Sequence, residues 1–186
     1  YLILDDGTTL LSGAANALSV LSLMFAAFVI GAILSQAAWV LLSAILGKLG
    51  ALVLGLSFYI LLLFAIFLVF PSTDVTLMAL MFVLAGMANG SYQQIPWAMY
   101  PDLMDLTRHQ SGEAIEGTFS AIWLFGQKVA NALAPMALAL ILGMYEWKET
   151  SQGKVEQTAD AIQALQVSVT IIPAAVLMLA ILGLLF

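Results

Sequence analysis

The chain has 186 residues, of which 63% are hydrophobic and 9% are charged, and its net charge is -6. Its mean hydropathy is +1.07. Roughly a quarter of the residues in a soluble globular domain are charged, so this composition excludes a soluble domain and indicates an integral membrane protein. The five basic residues are too few and too scattered to form a nucleic-acid surface, and the chain has no cysteine for disulfides or thiolate metal sites.

Long uncharged runs predict the all-α fold class, in the form of a polytopic membrane helix bundle. Spanning segments must satisfy their backbone polar groups internally, and long apolar runs favour helices over the short alternating segments of a barrel. The chain opens and closes in apolar sequence, and its start has neither a basic region nor a cleavage site. We therefore expect it to be part of a longer protein.

The first predicted span is unusually long. No charged residue occurs between Asp6 and Lys48, a run about twice the roughly 20 residues that one crossing needs. An initial segment over 1–14 is therefore followed by one tilted helix over about 15–46. GKLG at 47–50 ends this helix, because glycine suits a helix end and lysine suits the negative end of the helix dipole.

One turn and two charged loops separate the remaining four predicted spans, so about five spans are predicted in total. PSTD at 71–74 combines a proline stop signal with an aspartate start signal. Charged residues mark a solvent-exposed loop at 101–116 and another loop at 146–160. The spans between these connections cover about 51–70, 75–100, 117–145 and 161–186.

Gly86 and Gly90 lie four residues apart in the third predicted span, within the segment GMANG. Small residues at this spacing let the backbone of a neighbouring membrane helix approach closely. We therefore expect a tightly packed helix neighbour here.

Lys128 is the residue of the fourth predicted span that most needs a partner. It lies eleven residues after Gly117, or roughly 16 Å into the span at 1.5 Å per residue. A lysine at mid-membrane costs about 2.5–3.5 kcal/mol even on the milder insertion scale. No predicted span contains Asp or Glu, so the countercharge comes from outside these residues or from a bound ion or substrate, unless the lysine is neutral. We prefer a functional role to a structural one, in which Lys128 caps carbonyls in a static bundle.

A polar face accompanies Lys128 on the same predicted helix. Lys128 lies on the adjacent edge of that face, and a polar stripe on a membrane helix should point inward. The residues of the stripe, at helical spacing, are Ser120, Trp123, Gln127 and Asn131. The alternative for these polar side chains is ordinary hydrogen bonding between helices.

A second polar and aromatic cluster lies near Pro96 and Pro101, at the end of the third predicted span. Prolines inside spans are tolerated where the resulting bend faces protein or a water-filled cavity. The two clusters together favour a solute-lined cavity. The members of this second cluster are Tyr92, Gln93, Gln94 and Trp97. Gln36 and Trp39 on the first helix are expected to pack rather than to bind.

The chain carries no recognisable catalytic constellation. Asp102 and Asp105 stand in the predicted loop with a basic residue nearby, so a solvated charge cluster or a helix cap is preferred to a carboxylate pair. A Gly-rich phosphate loop, a nucleophile elbow and metal-ligand spacing are all absent from the sequence. We expect neither an enzyme nor a bound cofactor or metal.

Three motif segments carry a family resemblance. They are PWAMYPDLMD (96–105), SGEAIEGTFSAIWLFGQKVANALAP (111–135) and LILGMYEW (140–147). They resemble the glycoside-pentoside-hexuronide:cation symporters, the melibiose-permease branch of the major facilitator superfamily. The segments at 35–55 and 162–185 look like the end of the family's eighth helix and its twelfth helix. The resemblance implies the carboxy-terminal half of a transporter, with helices eight to twelve.

The resemblance also implies roles for individual residues. Lys128 falls on a lysine of the family's eleventh helix near the sugar and cation sites, and Trp123 falls on a neighbouring cavity position. Residues 44–50 and 101–116 are implied to be cytoplasmic, and 146–160 external. The implied cytoplasmic loop and gating residues are Asp102, Asp105, Arg108, Glu113 and Glu116.

The function implied is secondary active transport, by cation-coupled symport of a sugar, glycoside or related solute through alternating access. The implied partners are the lipid bilayer, an amino-terminal half or other membrane subunits, a small-molecule solute, and Na+ or H+. A bacterial inner membrane is the implied location. Two alternatives stay open: a lipid-type transporter of the same branch, and a non-transporting structural or accessory subunit of a larger membrane complex.

Overall fold

The computed structural model describes residues 2, 3, 7, 11, 19–111, 116–148 and 155–185. The described residues form helices and one isolated parallel β-bridge, between Ile3 and Ser72. The predicted all-α class is confirmed. The helices are α1 (Val20–Val69), α2 (Val75–Ser111), α3 (Glu116–Met144), α4 (Ala159–Val169) and α5 (Ile171–Leu185).

Four helical stretches in the described part of the chain are long and apolar enough to cross a membrane. The longest is α1, whose 50 residues would extend about 75 Å, more than twice the roughly 30 Å of a hydrocarbon core. At Gly47 its backbone leaves the helical region, with φ 75° and ψ 160°, a conformation open to glycine. α1 therefore consists of two helical segments, 20–46 and 48–69.

The chain divides into two compact units. The first unit comprises Tyr1–Pro96 together with Val169–Phe186, and the second comprises Trp97–Ser168. The first unit thus contains both segments of α1, the first part of α2, and α5. The second unit contains the end of α2, all of α3, and all of α4 except its last residue, Val169.

The two segments of α1 form an antiparallel hairpin. Met24 of the first segment and Ile66 of the second belong to one buried cluster. Closer to the turn, a Cβ added to Gly55 would lie 3.1 Å from the Trp39 ring. Because Trp39 and Gly55 each lie eight residues from Gly47, the chain reverses direction there.

α2 packs against the first segment of α1 with almost no space between the backbones. A Cβ added to Gly31 would overlap the carbonyl of Val83, and one added to Gly86 would overlap the carbonyl of Phe28. Gly90 lies against the same segment of α1. The close approach predicted at Gly86 and Gly90 is therefore confirmed.

Trp39 and Gln36 both make hydrogen bonds to backbone carbonyls within the described residues. The Trp39 side chain is 5% exposed, and its Nε1 donates a hydrogen bond to the Met87 carbonyl at 2.7 Å. Gln36 Nε2 donates to the carbonyl of Ala32 on its own helix at 2.9 Å. Both side chains thereby satisfy polar groups inside an apolar unit.

Side-chain caps begin α1 and α2. Ser19, with φ 62°, accepts a hydrogen bond from the Ser22 backbone N–H at 3.4 Å, so α1 begins at residue 20 rather than near 15. Asp74 Oδ1 accepts from the Leu77 backbone N–H at 2.9 Å. Each cap satisfies one of the backbone donors that the first turn of a helix leaves free.

α4 and α5 divide a stretch that the sequence predicts as a single span. The helix is interrupted at Thr170, three residues before Pro173. Proline has no backbone N–H, so the helical hydrogen bond from Pro173 to the Val169 carbonyl cannot form. Beyond the break, α5 packs on the second segment of α1, where Ile60 and Ala174 share a buried cluster.

The structure corrects the loop predicted at 101–116. α2 continues through Pro101 as far as Ser111. A proline inside a helix removes one backbone hydrogen bond, and membrane-protein helices tolerate that loss. Arg108 and His109 occupy the last turn, where positive charge complements the helix dipole. Taking Pro101 as the end of the helix was therefore wrong.

Substitution of Gly86 by Ala should destabilise the protein, because the new methyl group would overlap backbone that cannot move aside. Overpacking of this kind costs about 1–3 kcal/mol. The matched control is Gly143→Ala, since a Cβ at this α3 position meets no atom within 4 Å among the described residues. Thermal unfolding of the full-length protein in detergent should show a lower midpoint for Gly86→Ala only. Equal midpoints for the two variants would contradict the close contact.

Candidate functional site

Aromatic side chains join the end of α2 to the start of α3 within the second unit. The Trp97 and Trp123 rings meet edge to face, with centroids 5.9 Å apart and planes at 70°. The Tyr100 centroid lies 5.7 Å from that of Trp123 and 5.6 Å from that of Phe119. These separations fall in the favourable range for aromatic pairs. We call this group the aromatic cluster; its members are Trp97, Tyr100, Phe119 and Trp123.

Helical spacing brings the cluster together. Trp97 and Tyr100 are three residues apart on α2, while Phe119 and Trp123 are four apart on α3, so each pair shares one face of its helix. The Tyr100 hydroxyl also donates a hydrogen bond to Ser120 Oγ at 2.6 Å. Sequence reasoning missed Tyr100 and Phe119, although their spacing from the two tryptophans was a usable signal.

Trp97 and Trp123, both predicted cavity residues, are only partly enclosed. Trp97 is 49% exposed, and Trp123 is half-buried. The Trp123 Nε1 atom is buried and finds no hydrogen-bond partner among the described residues. Because buried donors are nearly always paired, this indole N–H is available to an oxygen that the described residues do not supply.

The middle of α3 is exposed on all sides within the described chain. Every residue from 124 to 137 is exposed, although α3 is long and apolar enough to span a membrane. Half-buried positions occur only towards the two ends of the helix, within 116–123 and 138–142. α3 is thus packed at both ends and uncovered between them by the residues that the structure describes.

Three predicted polar residues, Gln127, Lys128 and Asn131, lie on this uncovered stretch. At about 100° per residue, Gln127 and Asn131 are about 40° apart around the helix, and Lys128 lies about 60° beyond Asn131. We call these three residues the polar arc. Lys128 has no hydrogen-bond or ion-pair partner within the described ranges. The opposite side of the helix is apolar and exposed, and it carries Ile122, Phe125, Val129, Leu133 and Met136.

The other predicted cluster lies on the part of α2 that belongs to the first unit. Tyr92 and Gln93 are exposed, and Gln94 is half-buried. The Gln94 Oε1 atom is buried and has no partner among the described side chains and backbone groups. Pro96 cannot donate to the Tyr92 carbonyl, which interrupts the helical hydrogen bonds at this point. The predicted cavity role of these residues stays a prediction.

The predicted gating residues are not loop residues where the structure describes them. Asp102, Asp105 and Arg108 lie on α2, and Glu116 begins α3. Glu113 falls outside the described residues. Arg108 Nη1 lies 3.7 Å from Glu116 Oε1, and the two side chains are 68% and 42% exposed. This ion pair links the end of α2 to the start of α3 in the second unit.

Comparison with known proteins identifies the family. The chain matches the family described as MFS/sugar transport protein over residues 12–186. No curated protein and no solved structure gives a significant match. The family match covers nearly the whole chain, and its transport class agrees with the long apolar helices. The chain belongs to the MFS/sugar transport protein family, and it is an integral membrane protein of a transporter class that moves small-molecule solutes across the lipid bilayer.

Proposed function

We propose that the chain is the carboxy-terminal half of a cation-coupled symporter that carries a sugar or glycoside by alternating access. The observation that carries the proposal is the polar arc in the uncovered middle of α3. In hydrocarbon, Lys128 alone would cost about 2.5–3.5 kcal/mol on the milder insertion scale. The polar arc therefore faces a polar or water-filled surface in the working protein.

An amino-terminal half of the same protein supplies that surface. Secondary transporters bind their solutes near the bilayer midplane, between two structural repeats. The melibiose-permease-like assignment rests on the motif segments at 96–105, 111–135 and 140–147. The sugar class is supported by the family match. A bacterial inner membrane and coupling to Na+ or H+ follow from the same resemblance.

Each site residue has a chemical role in this proposal. Lys128 stabilises an anionic group, either on the solute or on the other half of the protein. Gln127 and Asn131 exchange hydrogen bonds with solute hydroxyl groups. Trp97 and Trp123 provide an apolar wall, and the Trp123 indole N–H donates to a solute oxygen. Further hydrogen bonds are predicted from Tyr92, Gln93 and Gln94.

The ion pair between Arg108 and Glu116 suits a gating contact. Its two side chains are largely exposed, and exposed ion pairs contribute about 0–1 kcal/mol to stability. A contact this weak forms and breaks at little cost during a transport cycle. Asp102 and Asp105 lie nearby on α2 and belong to the same proposed cytoplasmic end.

Replacement of Lys128 by Ala should abolish solute uptake while the protein is still made and inserted. The reason is that the substitution removes the charge proposed to act in transport and leaves a helix that is cheaper to insert. Uptake of a panel of radiolabelled mono- and disaccharides, including melibiose, should be measured for the full-length protein. Lys148→Ala is the matched control, because Lys148 lies beyond the end of α3 and only its backbone makes hydrogen bonds to Gln157.

Unchanged uptake in Lys128→Ala would remove Lys128 from the mechanism. A wild-type protein that moves none of the sugars would count against the sugar proposal. If Lys128→Ala also left assembly with other membrane subunits unchanged, the structural-subunit alternative would replace transport.

Cysteine labelling should show which side of α3 meets water. The 186 residues contain no cysteine, so single substitutions can be studied without a background from this part of the protein. A membrane-impermeant thiol reagent should label Gln127→Cys and Asn131→Cys several-fold faster than Phe125→Cys and Val129→Cys. Thiols react as thiolates, which form in water and not in hydrocarbon. Equal labelling at the four positions would contradict a one-sided aqueous surface.

A further inference from the structure

Tyr100 holds a central position in the aromatic cluster. Its ring centroid lies 5.6 Å from Phe119, 5.7 Å from Trp123 and 6.3 Å from Trp97. The contacts with Phe119 and Trp123 cross from α2 to α3, whereas the contact with Trp97 lies within α2. A change in the orientation of the Tyr100 ring would therefore disturb both tryptophans at once.

The hydrogen bond to Ser120 holds that ring in place. The Tyr100 hydroxyl donates to Ser120 Oγ at 2.6 Å, at the short end of the range for two hydroxyl groups. The tyrosine side chain is thus attached to α2 through its Cβ and to α3 through its hydroxyl. Rotation to another χ1 rotamer would break this bond, so the ring has one preferred orientation.

The two indoles have a defined mutual orientation. Their centroids are 5.9 Å apart with the planes at 70°, and Trp123 keeps its Nε1 buried without a partner in the described chain. An indole N–H that serves a ligand must point in a defined direction, because hydrogen bonds weaken steeply when they are bent. An interaction that fixes the indole planes would therefore fix the direction of this N–H group.

We propose that Tyr100 is a positioning residue, and that its hydrogen bond to Ser120 fixes the mutual orientation of the Trp97 and Trp123 indoles. The value of this orientation for solute recognition rests on the transport function proposed above. Tyr100 itself need not touch the solute. It acts through the two tryptophans, and Ser120 acts through Tyr100.

Variants that lose a single oxygen atom test whether Tyr100 acts through its hydrogen bond or only through the packing of its ring. Tyr100→Phe keeps the aromatic ring and loses only the hydroxyl, and Ser120→Ala loses only the acceptor. Ser120→Thr keeps an acceptor oxygen at this position. Tyr145→Phe is the matched control, because it removes a tyrosine hydroxyl at the other end of α3, outside the aromatic cluster.

Near-ultraviolet circular dichroism of the purified full-length protein responds to a change in the orientation of these indoles, because the signal depends on fixed aromatic surroundings. Tyr100→Phe and Ser120→Ala should each weaken the tryptophan fine structure, while far-ultraviolet spectra stay the same. The double variant should lose no more than either single variant, since both remove one bond. Ser120→Thr and Tyr145→Phe should match the wild type.

Sugar uptake by the same variants tests the value of the orientation. With the sugar that the wild type accumulates from the panel, Tyr100→Phe and Ser120→Ala should raise the half-saturating concentration several-fold. The maximal rate should change little, because the transport cycle does not use the hydroxyl. Ser120→Thr, which keeps the acceptor, should have the half-saturating concentration of the wild type, as it should have the wild-type spectrum.

The outcomes distinguish this proposal from the proposed function. Unchanged near-ultraviolet spectra in Tyr100→Phe and Ser120→Ala would overturn the positioning role. Changed spectra with an unchanged half-saturating concentration would overturn the role in solute recognition. A wild type that accumulates none of the sugars would contradict the proposed function, while the spectra would still decide whether Tyr100 orients the indoles.

Discussion

A polar group in the hydrocarbon core of a bilayer costs several kcal/mol unless another group satisfies it. The described helices satisfy most of their backbone groups internally, and several polar side chains in the first unit bond to nearby carbonyls. Trp39 donates to the Met87 carbonyl, and Ser91 Oγ donates to the Ala88 carbonyl. α3 departs from this rule at its polar arc, where the described chain offers no partner. The same constraint that explains the packed part of the protein therefore indicates where the described chain lacks a partner for its polar side chains.

Helix packing in the first unit also reflects the hydrocarbon surroundings. Lipid is as apolar as leucine, so burying leucine side chains gives membrane helices little reason to associate. Close backbone contact replaces the hydrophobic effect, as at Gly31 and Gly86, where dispersion forces act over short distances. Large side chains such as Leu61 and Leu68 remain on the outside, 68% and 81% exposed. In the second unit, aromatic contacts, the hydrogen bond from Tyr100 to Ser120 and an exposed ion pair join α2 to α3.

Local patterns in the sequence predicted the fold class and the close contact at Gly86, because apolar runs and small-residue spacing act within one segment. The extent of α2 was not predicted, since the stop signal at Pro101 removes only one hydrogen bond from a helix that continues. Lys128 could be singled out by its depth in a span. The link from Tyr100 to Ser120 could not, because it depends on how two helices meet, and no pattern along the chain encodes that meeting.

The hairpin of α1 turns on one residue, because the helical segments 20–46 and 48–69 have only Gly47 between them. Trp39 and Gly55, which meet across the hairpin, each lie eight residues from it. Insertion of a single residue into the helix between Gly47 and Gly55 would rotate the rest of the second segment by about 100° and carry Gly55 away from the Trp39 ring. The contacts of the hairpin therefore depend on an unchanged number of helical residues on each side of Gly47.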